Sequence, residues 1–325
     1  MPQSSGDNAV TYDTSLLDAE IKDLILEAVA ERNTTLYDTE KDVKKVIRDA
    51  VKAIAIGIAS GVFSIGSREK KLLDAAVGKI AAGIAEVLSG RMSATITTAA
   101  KPVTVPLIEA ANSAGLGKLN RSLEVGFQKR ELKVFENLWQ FERHGRTLSA
   151  RIWDVSESAV KEIKAILEAG VGQDAVQVAR ALTAYVKEDA KTWAKNYPNM
   201  QARMAGRVPG NVNYEALRLA RTELTTAYRD SAVAACINNP MVRAIRWMLS
   251  GAHPMQDICD DYAVRDYYGL GPGMYPPGDY PDLAHPNDLC FPAPVSIGRK
   301  ALEAKLAGYV EDQTSAPDVG ALLEG

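Results

Sequence analysis

The sequence predicts a mainly α protein, with N-terminal and central helical regions followed by a small α+β C-terminal module that contains a proline- and tyrosine-rich loop. Three observations lead there. Apolar residues recur every three to four positions through most of the chain before Pro240; the short β-compatible run MVRAIRWML follows that proline; and from Gly251 onward turn formers displace helix formers. With 325 residues, 46% of them hydrophobic and 24% charged, the chain can bury a core, which excludes wholesale disorder and collagen-like or low-complexity classes.

Leu17, Ile21, Leu24, Ile25 and Ala28 lie on one stripe of an amphipathic helix that Asp13, Thr14 or Ser15 can cap. A second helix carries Val43, Ile47, Ala50, Val51, Ile54 and Ile58 on one face, and a third, from about Lys70 to Leu88, carries Leu73, Val77, Ile80, Ile84 and Leu88. These form a helical domain over residues 1–100. Its most apolar run, AIAIGIASGVFSI at 53–65, is short of the ~20 residues a spanning helix needs, so no membrane span is expected, although Gly57 and Gly61 also suit close helix packing in lipid. The first twenty residues have neither a basic n-region nor an apolar h-region, so no secretory signal is expected.

Between Ala94 and Gly117 the pattern loosens, and Pro102 and Pro106 are expected to break any long helix at a domain boundary. Residues 101–148 read as a linker and a long helix, with Leu123, Phe127, Leu132, Phe135, Leu138 and Trp139 as its apolar residues. Asp154 or Ser156 can cap a helix running to Glu168, Asp174 can start another that Pro198 closes, and Met200–Asn213 is expected to be a loop. A helix from Tyr214 to Asn239 follows, with Cys236 on its apolar side. These elements belong to a module spanning 149–295, and 296–325 is a C-terminal tail.

Charge divides the chain more sharply than its net −3 suggests. Residues 101–250 carry 22 basic and 15 acidic groups, whereas 251–295 carry 1 and 7. The basic block, densest at Arg143, Arg146, Arg151, Arg203 and Arg207, is either a footprint for DNA or a set of helix faces with interleaved charges; the interleaving of the acidic groups favours the second.

The segment 251–295 holds two of the three histidines, two of the three cysteines, 8 of the 15 prolines and 5 of the 12 tyrosines. A proline- and glycine-rich stretch cannot hold its shape by backbone ladders and needs a crosslink or a surface to wrap on. His253, Cys259, His285 and Cys290 offer two thiolates and two imidazoles, the donor set of a closed tetrahedral zinc site. The spacing, H-x5-C and then H-x4-C, is not that of a standard zinc finger, so the same residues also suit hydrogen-bonded packing without metal. Asp257, Asp260 and Asp288 are substitute ligands or acceptors for the histidines. With only three cysteines a disulfide scaffold is excluded, and a reducing compartment fits. No Gly-x-Ser-x-Gly elbow, phosphate-binding glycine loop, dinucleotide fingerprint or His-Glu-x-x-His motif occurs. A metal-dependent nuclease or hydrolase built on His253, His285 and the aspartates is the enzymatic alternative. Its difficulty is the acidity of the segment, which repels a phosphate backbone.

The segments ARTELTTAYRDSAVAA (from Ala220), IRWMLSGAHPMQDICDDYAVRDYYGLGPGMYPPG (from Ile245) and AHPNDLCFPAPV (from Ala284) resemble the phage Mu F-like minor head protein family, the phage head-morphogenesis proteins. The likeness runs from about Ser149 to Val295. Family members usually read HPxCxC; here Asp288 stands at the first cysteine, which weakens the metal set or changes one ligand from sulfur to oxygen. The resemblance implies a non-enzymatic virion component at the portal vertex or head interior, made in the host cytoplasm. Such a protein acts in head assembly or DNA delivery, with the portal protein or major capsid protein as partner. The N-terminal helices lie outside the resemblance and are expected to pack with other copies or partners.

Overall fold

Eleven α-helices and one three-stranded antiparallel sheet make up the described residues of the computed structural model, which are 13–58, 61–207, 210–251, 253 and 256–324. The mainly α class with a small α+β C-terminal part is therefore what the chain adopts. The chain divides into two compact units, each discontinuous in sequence. A sheet unit comprises Met1–Thr34, Met92–Asn137 and Leu224–Gly325, and a helical unit comprises Thr35–Arg91 and Leu138–Glu223.

The first two expected helices are one, α1 (Lys22–Gly57). The polar stretch between their apolar stripes stays helical with Val29, Arg32, Leu36, Thr39 and Val43 continuing one buried face, and the hydroxyls of Thr34 and Thr39 bond back to the carbonyls of Ala30 and Thr35 (3.0 and 2.7 Å). The expected break at Pro102 and Pro106 does not occur either: both lie inside α2 (Ser67–Ser113). An interior proline costs roughly 3 kcal/mol. Against that, Ala99, Ala100, Val103, Leu107, Ala110 and Ala111 form a continuous buried stripe in the sheet unit's core, and burial of Val103 and Leu107 contributes about 1.5–3 kcal/mol each. Lys101 also reaches Glu31 of α1 at 2.8 Å. Burial outweighs propensity here. The helix ends instead where Gly115 takes φ +75° and the Leu116 N–H closes on the Ala111 carbonyl (2.8 Å).

No helix among the described residues is long and apolar enough to cross a membrane.

In the helical unit, α1 and α2 approach closely at Gly83, where a Cβ would lie 2.7 Å from Val46. The helix α4 (Leu148–Gly170) starts earlier than expected, capped by Thr147, while Asp154 pairs with Arg146 and Ser156 bonds the Ile152 carbonyl. The helix expected from Asp174 to Pro198 is two, α5 (Ala175–Tyr185) and α6 (Ala190–Asn196), because Asp189 caps a new start and Trp193 buries itself with its indole N–H on the Ala181 carbonyl (2.8 Å). Pro198 opens α7 (Pro198–Arg203), so the expected loop begins as helix; residues 208 and 209 of it lie outside the described residues.

In the sheet unit, α3 (Asn120–Gln140) buries Leu123, Phe127 and Val134, with Leu132 exposed rather than apolar-facing. The long α8 (Tyr214–Cys236) leads into β1 (Val242–Met248), the central strand between β2 (Met274–Tyr275) and β3 (Phe291–Ser296). Pro292 and Pro294 face Trp247 and Ile245 across the β1–β3 ladder, and an edge strand is where a sheet tolerates residues without an N–H. The last residues form α10 (Arg299–Glu311) and α11 (Pro317–Glu324), whose Leu302, Leu306, Val319 and Leu322 lie in the same core as Ile245 and Phe291.

Candidate metal centre

The loop leaving β1 turns at Ser250, whose carbonyl accepts the His253 N–H (2.9 Å). The helix α9 (Ile258–Val264) begins with a reciprocal cap: Asp257 accepts the Cys259 N–H (2.7 Å), and Asp260 accepts the Asp257 N–H (2.8 Å). This fixes Cys259 in the first turn. Cys290 stands one residue before β3, its N–H held by the Asp288 carboxylate (2.8 Å), and its sulfur accepts the Ser250 N–H (3.4 Å).

Cys259 is shared by two overlapping groups of donors, one with His253 and Cys290 and the other with His285 and Asp257. Donor atoms of His253, Cys259 and Cys290 lie within 4.8 Å of one another, and so do those of Asp257, Cys259 and His285. His285 Nε2 is 3.7 Å from Cys259 Sγ. Tetrahedral zinc with the usual Zn–S and Zn–N lengths sets its donors about 3.3–3.8 Å apart, so that separation suits a shared cation. In His285, Nδ1 lies 3.1 Å from the Pro286 carbonyl and donates to it, which turns Nε2 toward Cys259 and Asp257, whereas His253 Nε2 is taken by Asp260.

The aspartates surround this set. Asp260 is 2.9 Å from His253 Nε2, Asp257 lies 3.6 Å from His253 and 3.1 Å from His285, and buried Asp288 accepts from the Cys259 thiol (3.6 Å). Burial alone would raise the Asp257 carboxyl, but its bonds from Cys259 and the nearby histidines bring it below the usual range. Asp260 is held low by the Asp257 N–H and His253. The Cys259 thiol is pushed strongly upward by its contact with Cys290, by burial, and by Asp288 and Asp257. A cation on the thiolates reverses that balance. Both sulfurs are buried, and beneath them Trp247 stacks on Tyr280 (5.4 Å) and meets Tyr262 edge-on (4.9 Å).

Two tethers of this loop have no signature in the sequence. Arg32 of α1, 1% exposed, donates to the Leu289 carbonyl (3.1 Å) with its guanidinium over the rings of Tyr228 (5.0 Å) and Phe291 (5.6 Å). Arg229 of α8 donates to the Pro281 carbonyl (3.0 Å) and pairs with Asp282 (2.9 Å). An arginine in an amphipathic helix reads as solvated, and nothing local marks these two.

The five arginines at which the basic block is densest are engaged within the helical unit. Arg143 and Arg151 converge on buried Glu223, Arg146 pairs with Asp154, Arg207 forks onto Glu162 (3.1 Å twice), and Arg203 donates to the Ala169 and Val171 carbonyls. His144 sits in the turn between Arg143 and Arg146 at φ 54°. No family model, curated protein or solved structure matches the chain.

Proposed function

We propose that this chain is a non-enzymatic structural component of a tailed-phage head, located at the portal vertex or head interior. Its C-terminal module is clasped by a zinc ion on His253, Cys259, His285 and Cys290. The observation that carries this reading is the convergence of those four residues on Cys259, from both ends of a loop with almost no backbone ladder of its own. Two buried thiols in the set favour a closed, structural sphere over one with an open catalytic position. Zinc there supplies a crosslink, with Asp257, Asp260 and Asp288 orienting its ligands. The setting, and the portal or major capsid protein as partner, rest on the resemblance of the segments around Glu223, Trp247 and His285 to the head-morphogenesis proteins, and are an analogy of sequence.

The test has two arms. Metal analysis of the purified full chain is expected to give about one zinc per chain, lost in Cys259→Ser and His285→Ala. In particles, the protein is expected in purified heads at low copy together with the portal protein, with His285→Ala failing to be incorporated. A folded His285→Ala chain that loses a DNA-cleavage activity present in the parent establishes the nuclease reading instead. Absence from heads overturns the virion setting.

A further inference from the structure

Each unit exposes an apolar patch, and the two rims carry opposite charge. In the helical unit the turn after α1 is stitched to the turn between α4 and α5: the Phe63 N–H donates to the Gln173 carbonyl (2.7 Å), Gly172 to Phe63 (2.8 Å), and Ala175 to Gly61 (2.8 Å). The ladder buries Phe63 and leaves Ile56 74% and Val62 78% exposed, with Val171 and Val176 also exposed beside it. Residues 52–72 carry Lys52, Arg68, Lys70 and Lys71 against Glu69, a net +3.

In the sheet unit, α9 and the loop after it present Val264, Tyr267, Tyr268 and Leu270, all at least 40% exposed. This platform is rigidly built. Gly273, at φ +65°, lies so close to α9 that a Cβ would be 2.4 Å from the Ala263 carbonyl oxygen. Its N–H donates to the Arg265 carbonyl (2.9 Å), its carbonyl accepts from Trp247 (2.8 Å), and the Leu270 N–H donates to the Asp266 carboxylate (3.1 Å). Beside the platform Asp261 and Asp266 stand against Arg265, a net −1, while Asp257 and Asp260 at the start of α9 face the histidines.

We propose that the chain associates head to tail, the Ile56/Val62 tip of one copy seating on the Tyr267/Tyr268/Leu270 platform of the next. On the platform, backbone that already holds apolar side chains in water has little conformational entropy left to lose on docking. Tyrosine platforms give large contact area for few rotatable bonds. The opposed rims set register and orientation and disfavour like patches meeting, tip on tip or platform on platform. Because the two halves of the contact are different surfaces, each added copy leaves a tip and a platform free, so assembly proceeds to a ring or an open row. The proposal requires neither the metal nor the virion setting.

Sedimentation velocity of the full chain over a concentration series tests it. Mass is expected to rise with concentration and to fall back as salt screens the rims. Ile56→Ser/Val62→Ser and, separately, Tyr267→Ser/Tyr268→Ser/Leu270→Ser are each expected to weaken self-association by about tenfold or more. An equimolar mixture of the two variants is expected to restore a 1:1 complex, since one retains the platform and the other the tip. Should the tip variant melt early, Lys70→Glu/Lys71→Glu on the exposed rim replaces it. A chain that is monomeric at every concentration, even if its platform captures another protein, overturns the proposal. So does association that survives either variant, or a mixture that restores nothing.

Discussion

The helical unit and the loop module of residues 249–296 solve the same problem, fixing a chain in one shape, in opposite ways. In the helical unit α1, α2, α4 and α5 bury repeated aliphatic stripes, such as Ile80, Ile84 and Leu88, and each contact has neighbours that do similar work. The module has a two-residue strand, a proline-bearing edge strand and a seven-residue helix, so its shape rests on a few particular side chains: the cluster at Cys259, Arg32, Arg229 and the Trp247–Tyr280 stack. Stability spread over many interchangeable contacts degrades gradually, whereas stability concentrated in a few fails at once. Single changes should therefore separate the two regions.

The largest expected effect is loss of the zinc ion proposed at Cys259. Chelation, or Cys290→Ser, is expected to remove at least about 4 kcal/mol from the module, read as lost native Trp247 fluorescence and faster amide exchange in 249–296, while exchange in α4 and α5 is unchanged. The pH dependence should also change, in the range below pH ~9 as well as above it. Without metal, the Cys259 thiol has a folded pKa raised above its ordinary value near 9, so its contribution is complete below that value. It is then lost as pH rises, by about 1.4 kcal/mol per unit, because the unfolded chain releases a proton that the folded one keeps. With zinc on the thiolates, the unfolded chain binds more protons below pH ~9 and stability rises with pH. Equal slopes with and without chelator would show that no metal holds the thiolates.

The helical unit has one point of comparable concentration, the Glu223 carboxylate beneath Arg143 and Arg151. Its side chain is 2% exposed, and Glu223→Gln leaves two guanidinium groups short of their counter-charge, with about 3–5 kcal/mol expected in urea unfolding. Next comes Arg32→Met in the sheet unit. It keeps most of the buried stem but removes the bond to the Leu289 carbonyl and the stacking on Tyr228 and Phe291, for about 2 kcal/mol. A weaker zinc affinity, measured by chelator competition and partly rescued by Arg32→Lys, would distinguish positioning of the Asp288–Cys290 segment from plain packing.

What the sequence conveyed and what it hid follow the same division. Periodic stripes are local, so Val43–Ile54 and Leu73–Leu88 were legible as helix faces, and β1 was legible as a short β-compatible run after Pro240. Breaks were misread where tertiary burial opposed local propensity, as at Pro102 and Pro106, or where a cap and one large ring created a helix start, as at Asp189 and Trp193. The His/Cys set was legible because scarce residue types were concentrated in one segment. Its tether at Arg32 was not, because that contact spans 257 positions and depends on which face of α1 meets Leu289, which no local pattern encodes.

The smallest expected effect tests the basic block. Arg207 and Glu162 form a forked pair, but Arg207 is half exposed, and water screens such a pair to about 1 kcal/mol or less. Arg203 is tied to the last carbonyls of α4, where a cation also favours the negative end of the helix. Arg203→Ala/Arg207→Ala should therefore lower the melting temperature slightly and leave retention on a DNA column almost unchanged, since the groups removed already face protein acceptors. If these arginines instead contacted phosphates, the double variant would elute at distinctly lower salt, with the slope of log affinity against log salt falling by about two. That result would restore a DNA-contacting role for residues 101–250 and make the helical unit, rather than the clasped loop, the place where single charges matter.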